Sequence, residues 1–254
     1  MKIMINIKTP DQIKLMRIAG RITGEALALG GEMVRAGVST KQIDERIRRH
    51  IEKCGARPSF LGYGGFPGSA CISVNDQVIH GIPSYHKILE EGDIVKIDVG
   101  AFINGFHGDS ANTFPVGNVS AEAARLIEVT KHSFELAVEA AGRENARIGD
   151  IGAAIDGYVV ANGYSTVKKY VGHGVGRDLH EDPNVPNFGT AGRGAKICRG
   201  MVIAIEPMVN VGGHEVKELA DGWTVVTRDG SLSAHYEHTV AITENGPELL
   251  TKID

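Results

Sequence analysis

Two stretches decide how this chain folds: Gly92-Asp93-Ile94-Val95-Lys96-Ile97-Asp98 and, 108 residues on, Gly200-Met201-Val202-Ile203-Ala204-Ile205-Glu206. Each starts at a glycine, runs through apolar and β-branched residues, and ends on a carboxylate. That is the pattern of a buried strand finishing at a polar site. The same offset links two helices. Ser39-Thr40-Lys41-Gln42 caps one, with Ile43, Ile47 and Ile51 on a single face and Gly55 as its stop. Moving 108 residues on gives Ile151, Ile155, Val159 and Gly163. One match of this kind is the common chemistry of buried elements, but several at one offset indicate a repeat. The prediction is an α+β unit of two related halves, each helix–helix–strands, in which Asp98 and Glu206 meet near a pseudo-twofold axis.

The remaining helices follow from local signals. Thr9-Pro10-Asp11-Gln12 is a capping box with proline at the first helical position, which predicts a helix to about Arg35. Another starts after Ser120 and carries Leu126, Val129, Phe134, Ala137 and Val138.

Composition narrows the functional classes. A chain of 254 residues buries a sizeable core and needs no staple merely to fold. A net charge of -4 gives no global attraction to nucleic acid or to an acidic membrane surface. Three cysteines, Cys54, Cys71 and Cys198, without paired spacing argue for a reducing compartment, hence a cytoplasmic location. The opening Met1–Asn6 does not read as a signal peptide, and no stretch is long and apolar enough to span a membrane. Many of the 33 glycines cluster in 62–68, 172–176 and 189–194, which suggests backbone packed closely around a site.

The carboxylates call for cations. Asn104-Gly105 is a strong hairpin signal, and a two-residue turn there pairs Ile103 with Phe106 and sets Asp98 opposite Ala111. Asp109 then lies on the same face as Asp98, a diagonal neighbour roughly 7–8 Å away. Glu206 ends the matching strand before Pro207, and Glu237 sits in the strand-like run Ala234–Ile242. Four like charges at apolar strand ends repel one another strongly unless cations balance them, and apart from Lys96 no basic residue sits regularly beside them. Two divalent ions would do so.

His173, in Gly172-His173-Gly174-Val175-Gly176, supplies a nitrogen, and its flanking glycines leave room for a ligand or substrate. One imidazole beside four carboxylates suits Mn, Fe, Co or Zn better than Ca or Mg. His180 falls on the same patch and His80 on another loop. Histidines 50, 86, 107, 132, 214, 235 and 238 read as ordinary surface or core residues. There is no H-E-x-x-H and no G-x-S-x-G, and the glycine-rich run lacks a P-loop lysine. Cys71 has no basic partner beside it and reads as a buried structural or pocket-lining thiol, not a nucleophile.

Taken with His80-Gly81-Ile82-Pro83, Phe106-His107-Gly108-Asp109, Ile205-Glu206-Pro207 and Tyr236-Glu237-His238-Thr239, these residues closely resemble the type I methionine aminopeptidases of the bacterial kind, nearly end to end. The resemblance implies the pita-bread fold of M24 metallopeptidases. In that fold one catalytic domain over 1–254 has two α/β halves, about 9–117 and 118–254, around a central curved antiparallel sheet. It further implies two divalent metal ions on Asp98, Asp109, His173, Glu206 and Glu237, with a bridging water or hydroxide attacking the scissile carbonyl. Glu206 becomes the general base. His80 and His180 contact the scissile amide, and the substrate's free α-amine approaches the ion on Asp98. Tyr63, Phe66, Cys71 and Trp223 would hold the methionine side chain, with His80 nearby.

The reaction implied is removal of the initiator methionine from nascent chains and peptides, preferring a small second residue, by a cytoplasmic monomer in transient contact with the ribosome. Phe66, Leu179 and Gly100 depart from the residues common in such enzymes, which bears on fine preference and metal affinity. The zinc-binding extension of longer relatives and the helical insertion of type II enzymes are not expected. Two rivals share the scaffold: an Xaa-Pro aminopeptidase or prolidase, and a non-catalytic binding protein. The basic cluster Arg46, Arg48, Arg49 and Lys53 reads as a solvated helix face.

Overall fold

Thr9 and Ser39 open the first two helices, α1 (Pro10–Glu32) and α2 (Thr40–Lys53). Each hydroxyl accepts the N–H of a glutamine three residues on, and that glutamine's side-chain carbonyl accepts the cap's own N–H. α1 ends short of the expected Arg35. Met33 closes back onto the Gly30 and Gly31 carbonyls, and the chain turns through Gly37 so that its N–H reaches the Leu89 carbonyl. The structure, a computed structural model, describes residues 4–253. Met1-Lys2-Ile3, part of the opening read as no signal peptide, and Asp254 lie outside the described residues.

The order continues with β1 (Arg57–Pro58), β2 (Ala70–Val74), β3 (Gln77–Ile79), β4 (Ile94–Ile103) and β5 (Phe106–Pro115). Then come α3 (Ala121–Ala141), α4 (Ile148–Ala161), β6 (Ser165–Thr166), β7 (Gly172–Gly174), β8 (Glu181–Val185) and β9 (Val202–Ile205). The chain closes with β10 (Met208–Asn210), β11 (Val216–Glu218), β12 (Val225–Thr227), β13 (Ser233–His235), β14 (Glu237–Thr243) and β15 (Gly246–Leu249). The 108-residue offset recurs in three dimensions: α2 and α4, β1 and β6, and the first residues of β4 and β9 are all related by it.

Nine strands form one antiparallel sheet in the order β1-β4-β5-β14-β9-β7-β8, with β2 also on β4 and β15 also on β14. Strand alternation sorts its side chains. Ile97 and Val99 of β4 enter a core with Ile22 and Ala26 of α1 and Ile43, Ile47 and Ile51 of α2. Ile203 and Ile205 enter the equivalent core with Phe134 of α3 and Ile151, Ile155 and Val159 of α4. Each such buried side chain is worth about 1.5–3 kcal/mol. With the apolar residues committed to the helices, the intervening Asp98 and the Glu206 that follows Ile205 are left to the opposite face. Among the described residues no helix is long and apolar enough to cross a membrane.

Candidate metal centre

Five adjacent strands each bring one candidate ligand to the face turned from the helices. Asp98 comes from β4, Asp109 from β5, Glu237 from β14, Glu206 from the end of β9 and His173 from β7, which is the order of those strands across the sheet. Ala111 pairs with Asp98 on one side and with Glu237 on the other, so these two carboxylates share a row. Asp109 faces Gly100 in an adjacent row of the same face. The turn that sets this register has the expected form: Ile103 pairs with Phe106, and Asn104 and Gly105 both have positive φ.

The ligand backbones are held by side chains. Thr239 Oγ1 accepts the Asp109 N–H (2.9 Å) and donates to the Asp109 carbonyl (2.8 Å). Ser110 Oγ donates to the Glu237 carbonyl and Asn187 Nδ2 to that of Glu206. His173 Nδ1 donates to the Gly174 carbonyl, which can only accept. That bond fixes the tautomer and leaves the Nε2 lone pair facing Glu206 Oε1 at 3.5 Å and Asp109 Oδ2 at 3.7 Å.

Burial pushes the Asp98 carboxyl up to about 7. Asp109, Glu206 and Glu237 are pushed well above the ordinary range, first by burial and then by one another's charge or that of Asp98. Burial also takes His173 down to about 3, so its contacts with the carboxylates are not ion pairs. Asp98 Oδ1, Asp109 Oδ1 and Glu237 Oε1 are buried with no hydrogen-bond partner among the described residues. Unpartnered carboxylate oxygens crowded at one point are what a divalent cation compensates, and the donor set of oxygens and imidazole nitrogen fits one. The ligand atoms of Asp109, His173 and Glu237 all lie within 4.8 Å of one another.

Above these groups lies a cavity of ≈ 160 Å³ lined by every residue singled out from the sequence: the five ligands with Tyr63, Phe66, Cys71, His80, His180 and Trp223. Phe60, Ile79 and Leu179 complete the wall; of the three, sequence reading marked only Leu179, as a departure bearing on preference. Phe66 meets Trp223 edge-on, with ring centroids 5.2 Å apart. His80 sits edge-on between Tyr170 and Trp223, and burial holds it neutral, down to about 4. His180 lies 4.2 Å from the His173 ring and bonds Tyr63 Oη through Nδ1 at 2.8 Å. Cys71 faces Asp98 across the β2–β4 ladder, and burial together with nearby carboxylates raises its thiol well above the ordinary value. It is a wall, not a thiolate.

Four expectations need correction. The glycines around His173 do not open space for a ligand. A Cβ at Gly172 would lie 2.4 Å from the Ala204 carbonyl oxygen, and one at Gly174 2.3 Å from that of Asp182, so they permit close strand packing. Gly189 and Gly194 border Gly149 at the start of α4, and none of the 189–194 glycines lines the cavity. Lys96 is fully buried, but its Nζ is given to the Asn75 and Ser233 carbonyls and to no carboxylate. His235, read as ordinary, is buried against the cluster: its Nε2 is 3.6 Å from Glu206 Oε2 and 3.8 Å from Glu237 Oε2. The one signal for it was its spacing of two residues from Glu237, which is same-face spacing on a strand. The Gly100 departure has a steric reason: a Cβ there would lie 2.8 Å from the Ser59 Cβ.

A model of metallopeptidase family M24 matches residues 14–244. The chain is 57% identical to a methionine aminopeptidase of Clostridium perfringens over 250 residues, covering 98% of this chain and 100% of that protein. Among solved structures it superimposes on a methionine aminopeptidase from Thermotoga maritima with a TM-score of 0.96 at 43% identity, covering 98% of this chain and 100% of that one. A prolidase from Pyrococcus furiosus follows the same fold more loosely, with a TM-score of 0.79 at 25% identity, and this chain spans 98% of its own length but 66% of the prolidase. The pita-bread architecture is therefore common to all three, and this chain belongs to metallopeptidase family M24.

Proposed function

We infer that the chain is a metal-dependent aminopeptidase that removes N-terminal methionine from proteins and peptides. The observation carrying this reading is a single cavity that joins five metal-type ligands to a small apolar and aromatic pocket. A small, mostly apolar pocket beside the ligands suits a single side chain at a chain terminus.

Asp98, Asp109, His173, Glu206 and Glu237 would hold two divalent ions, drawn from Co, Mn, Fe or Zn. Such ions polarise a peptide carbonyl and acidify water near neutrality. The chain's own groups do the rest. Glu206, half-buried at the cavity wall, takes a proton from the attacking water and passes it to the leaving amine. His80 and His180 contact the scissile amide. Tyr63, a phenol protonated at neutral pH, donates to His180 Nδ1 and so leaves Nε2–H free to donate to the developing oxyanion. Phe66, Cys71 and Trp223 take the thioether, with Tyr63 and His80 at the rim. The free α-amine lies toward Asp98, which restricts cleavage to the first residue. A small second residue is preferred.

The two halves, about 9–117 and 118–254, act as one catalytic domain 1–254. The setting is a cytoplasmic monomer meeting nascent chains at the ribosome. The test is metal-free protein, reconstituted with Mn, Fe, Co or Zn, given a Met-Ala peptide and an Xaa-Pro peptide. Methionine release, lost in Asp98→Ala and Glu206→Ala, is expected. Preference for Xaa-Pro, or full activity in either variant, overturns the reading.

A further inference from the structure

Two groups of ligand atoms lie within 4.8 Å of one another in this cluster: Asp109, His173 and Glu237, and Asp98, His235 and Glu237. Each has one aspartate and one imidazole, and Glu237 belongs to both. His235 is 1% exposed, and among the described residues neither of its ring nitrogens has a hydrogen-bond partner. Leaving a buried polar group unpartnered is costly, so a histidine kept in this state calls for a use. Its Nε2 is 3.6 and 3.8 Å from carboxylate oxygens of Glu206 and Glu237, beyond hydrogen-bond reach. Those separations are close to the edge of a coordination shell. With ligands about 2.0–2.2 Å from an ion, neighbouring ligand atoms are roughly 3–3.6 Å apart.

The backbone of His235 is held as a ligand's would be. Its N–H donates to Thr113 Oγ1 at 2.9 Å, and that hydroxyl donates to the His235 carbonyl at 2.8 Å. Thr239 grips Asp109 through the same two bonds at the same two distances. A shift of 126 residues carries Asp109 to His235 and Thr113 to Thr239, so the two clamps are counterparts in the two halves. Lys96 adds a third hold through the Ser233 carbonyl, two residues before His235.

Resting on the two-ion reading above, we propose that His235 is a sixth metal ligand, a second imidazole bound through Nε2 to the ion that Asp98 and Glu237 hold. Each ion then has one nitrogen donor and the two share Glu237. A second imidazole tilts that ion's site toward Co and Zn and away from Mn, following ligand softness and the order of divalent affinities.

The test titrates the metal-free whole chain with Co(II) alone. A neutral imidazole bound through Nε2 retains one exchangeable Nδ1 proton, which the paramagnetic ion shifts far outside the ordinary proton spectrum. At two equivalents two such resonances are expected, one lost in His235→Gln and the other in His173→Gln. Calorimetry should show His235→Gln weakening one of the two ions at least about tenfold, with the other retained. A single shifted resonance that survives His235→Gln overturns the proposal and leaves the five-ligand centre standing. No shifted resonance, with no heat of Co(II) binding, overturns that centre as well. The wild-type count of resonances decides the matter even if a variant fails to fold.

Discussion

Glu206 carries two duties in the proposed chemistry, ligand and proton carrier, and its surroundings suit both. Its two oxygens face different groups, Oε1 toward His173 Nε2 at 3.5 Å and Oε2 toward His235 Nε2 at 3.6 Å, so one can serve as ligand while the other carries the proton. Glu206→Gln keeps shape and a ligand oxygen but cannot accept that proton. Single-turnover release of methionine from a Met-Ala peptide should fall about 10²–10⁴-fold, and a fall of less than tenfold in protein still holding two ions refutes the role. Trp223 is argued to act chiefly on binding, since it packs edge-on against Phe66 in the wall of the cavity and is not among the candidate ligands. Trp223→Ala should raise KM for Met-initiated peptides roughly tenfold, about 1.4 kcal/mol, with kcat little changed. An unchanged KM would show that the ring only fills space. Residues of this kind were legible because their chemistry is written in type and spacing. His235 was not, because a lone histidine in a strand has no local mark separating ligand from core; only the fold turns its Nε2 toward two carboxylates and leaves both ring nitrogens without a hydrogen-bond partner among the described residues.

The β4–β5 hairpin is the element on which the centre depends, because its register decides that Asp98 and Asp109 look the same way. Asn104 at φ 54° and Gly105 at φ 82° form the tight turn that matches strand twist. A Cβ on Gly105 would meet only Arg177 Nη1, at 3.5 Å, so substitution costs backbone strain and little else. Gly105→Ala should therefore destabilise by about 1 kcal/mol, a fall of roughly 2–4 °C in Tm for a chain of this size. Co(II) affinity should be unchanged, since the register has a ten-pair ladder to hold it. A large loss of metal affinity would mean that the turn, not the ladder, positions the aspartates. At this scale the sequence was most readable. Capping boxes, helix faces and the hairpin are local signals, and the 108-residue offset tied them into halves. The glycines were less so, since a glycine needed for strand contact and one needed for a ligand look identical until the neighbour is known.

Across the whole molecule, the segment leading into α1 is fastened to the loop that carries Leu179 and His180. Lys8 Nζ meets Glu181 Oε2 at 2.6 Å with both side chains buried, and Glu181 Oε1 accepts the Arg177 N–H. No pattern in the sequence joined residues 173 apart, which is why this tie became visible only in three dimensions. Burial alone would raise the Glu181 carboxyl, but the bonds and charge of Lys8 and the amides of the loop outweigh it and hold the carboxyl below its ordinary value. The sign follows. A carboxyl depressed in the folded state stabilises fully above its unfolded pKa of about 4.3, and that contribution is lost as pH falls through the folded value. Lys8→Met leaves a buried carboxylate without its cation and should cost ~3 kcal/mol at pH 7. The deficit should shrink by pH 4, where the variant's carboxyl, now raised by burial, takes up a proton. Urea unfolding of both proteins at the two pH values measures this. A deficit equal at pH 7 and pH 4 would mean that Lys8 contributes through its packed stem and not through charge. If the tie also steadies His180, the variant at neutral pH should lose kcat on Met-Ala peptides while its Co(II) affinity stays unchanged, because none of the proposed ligands lies on that loop.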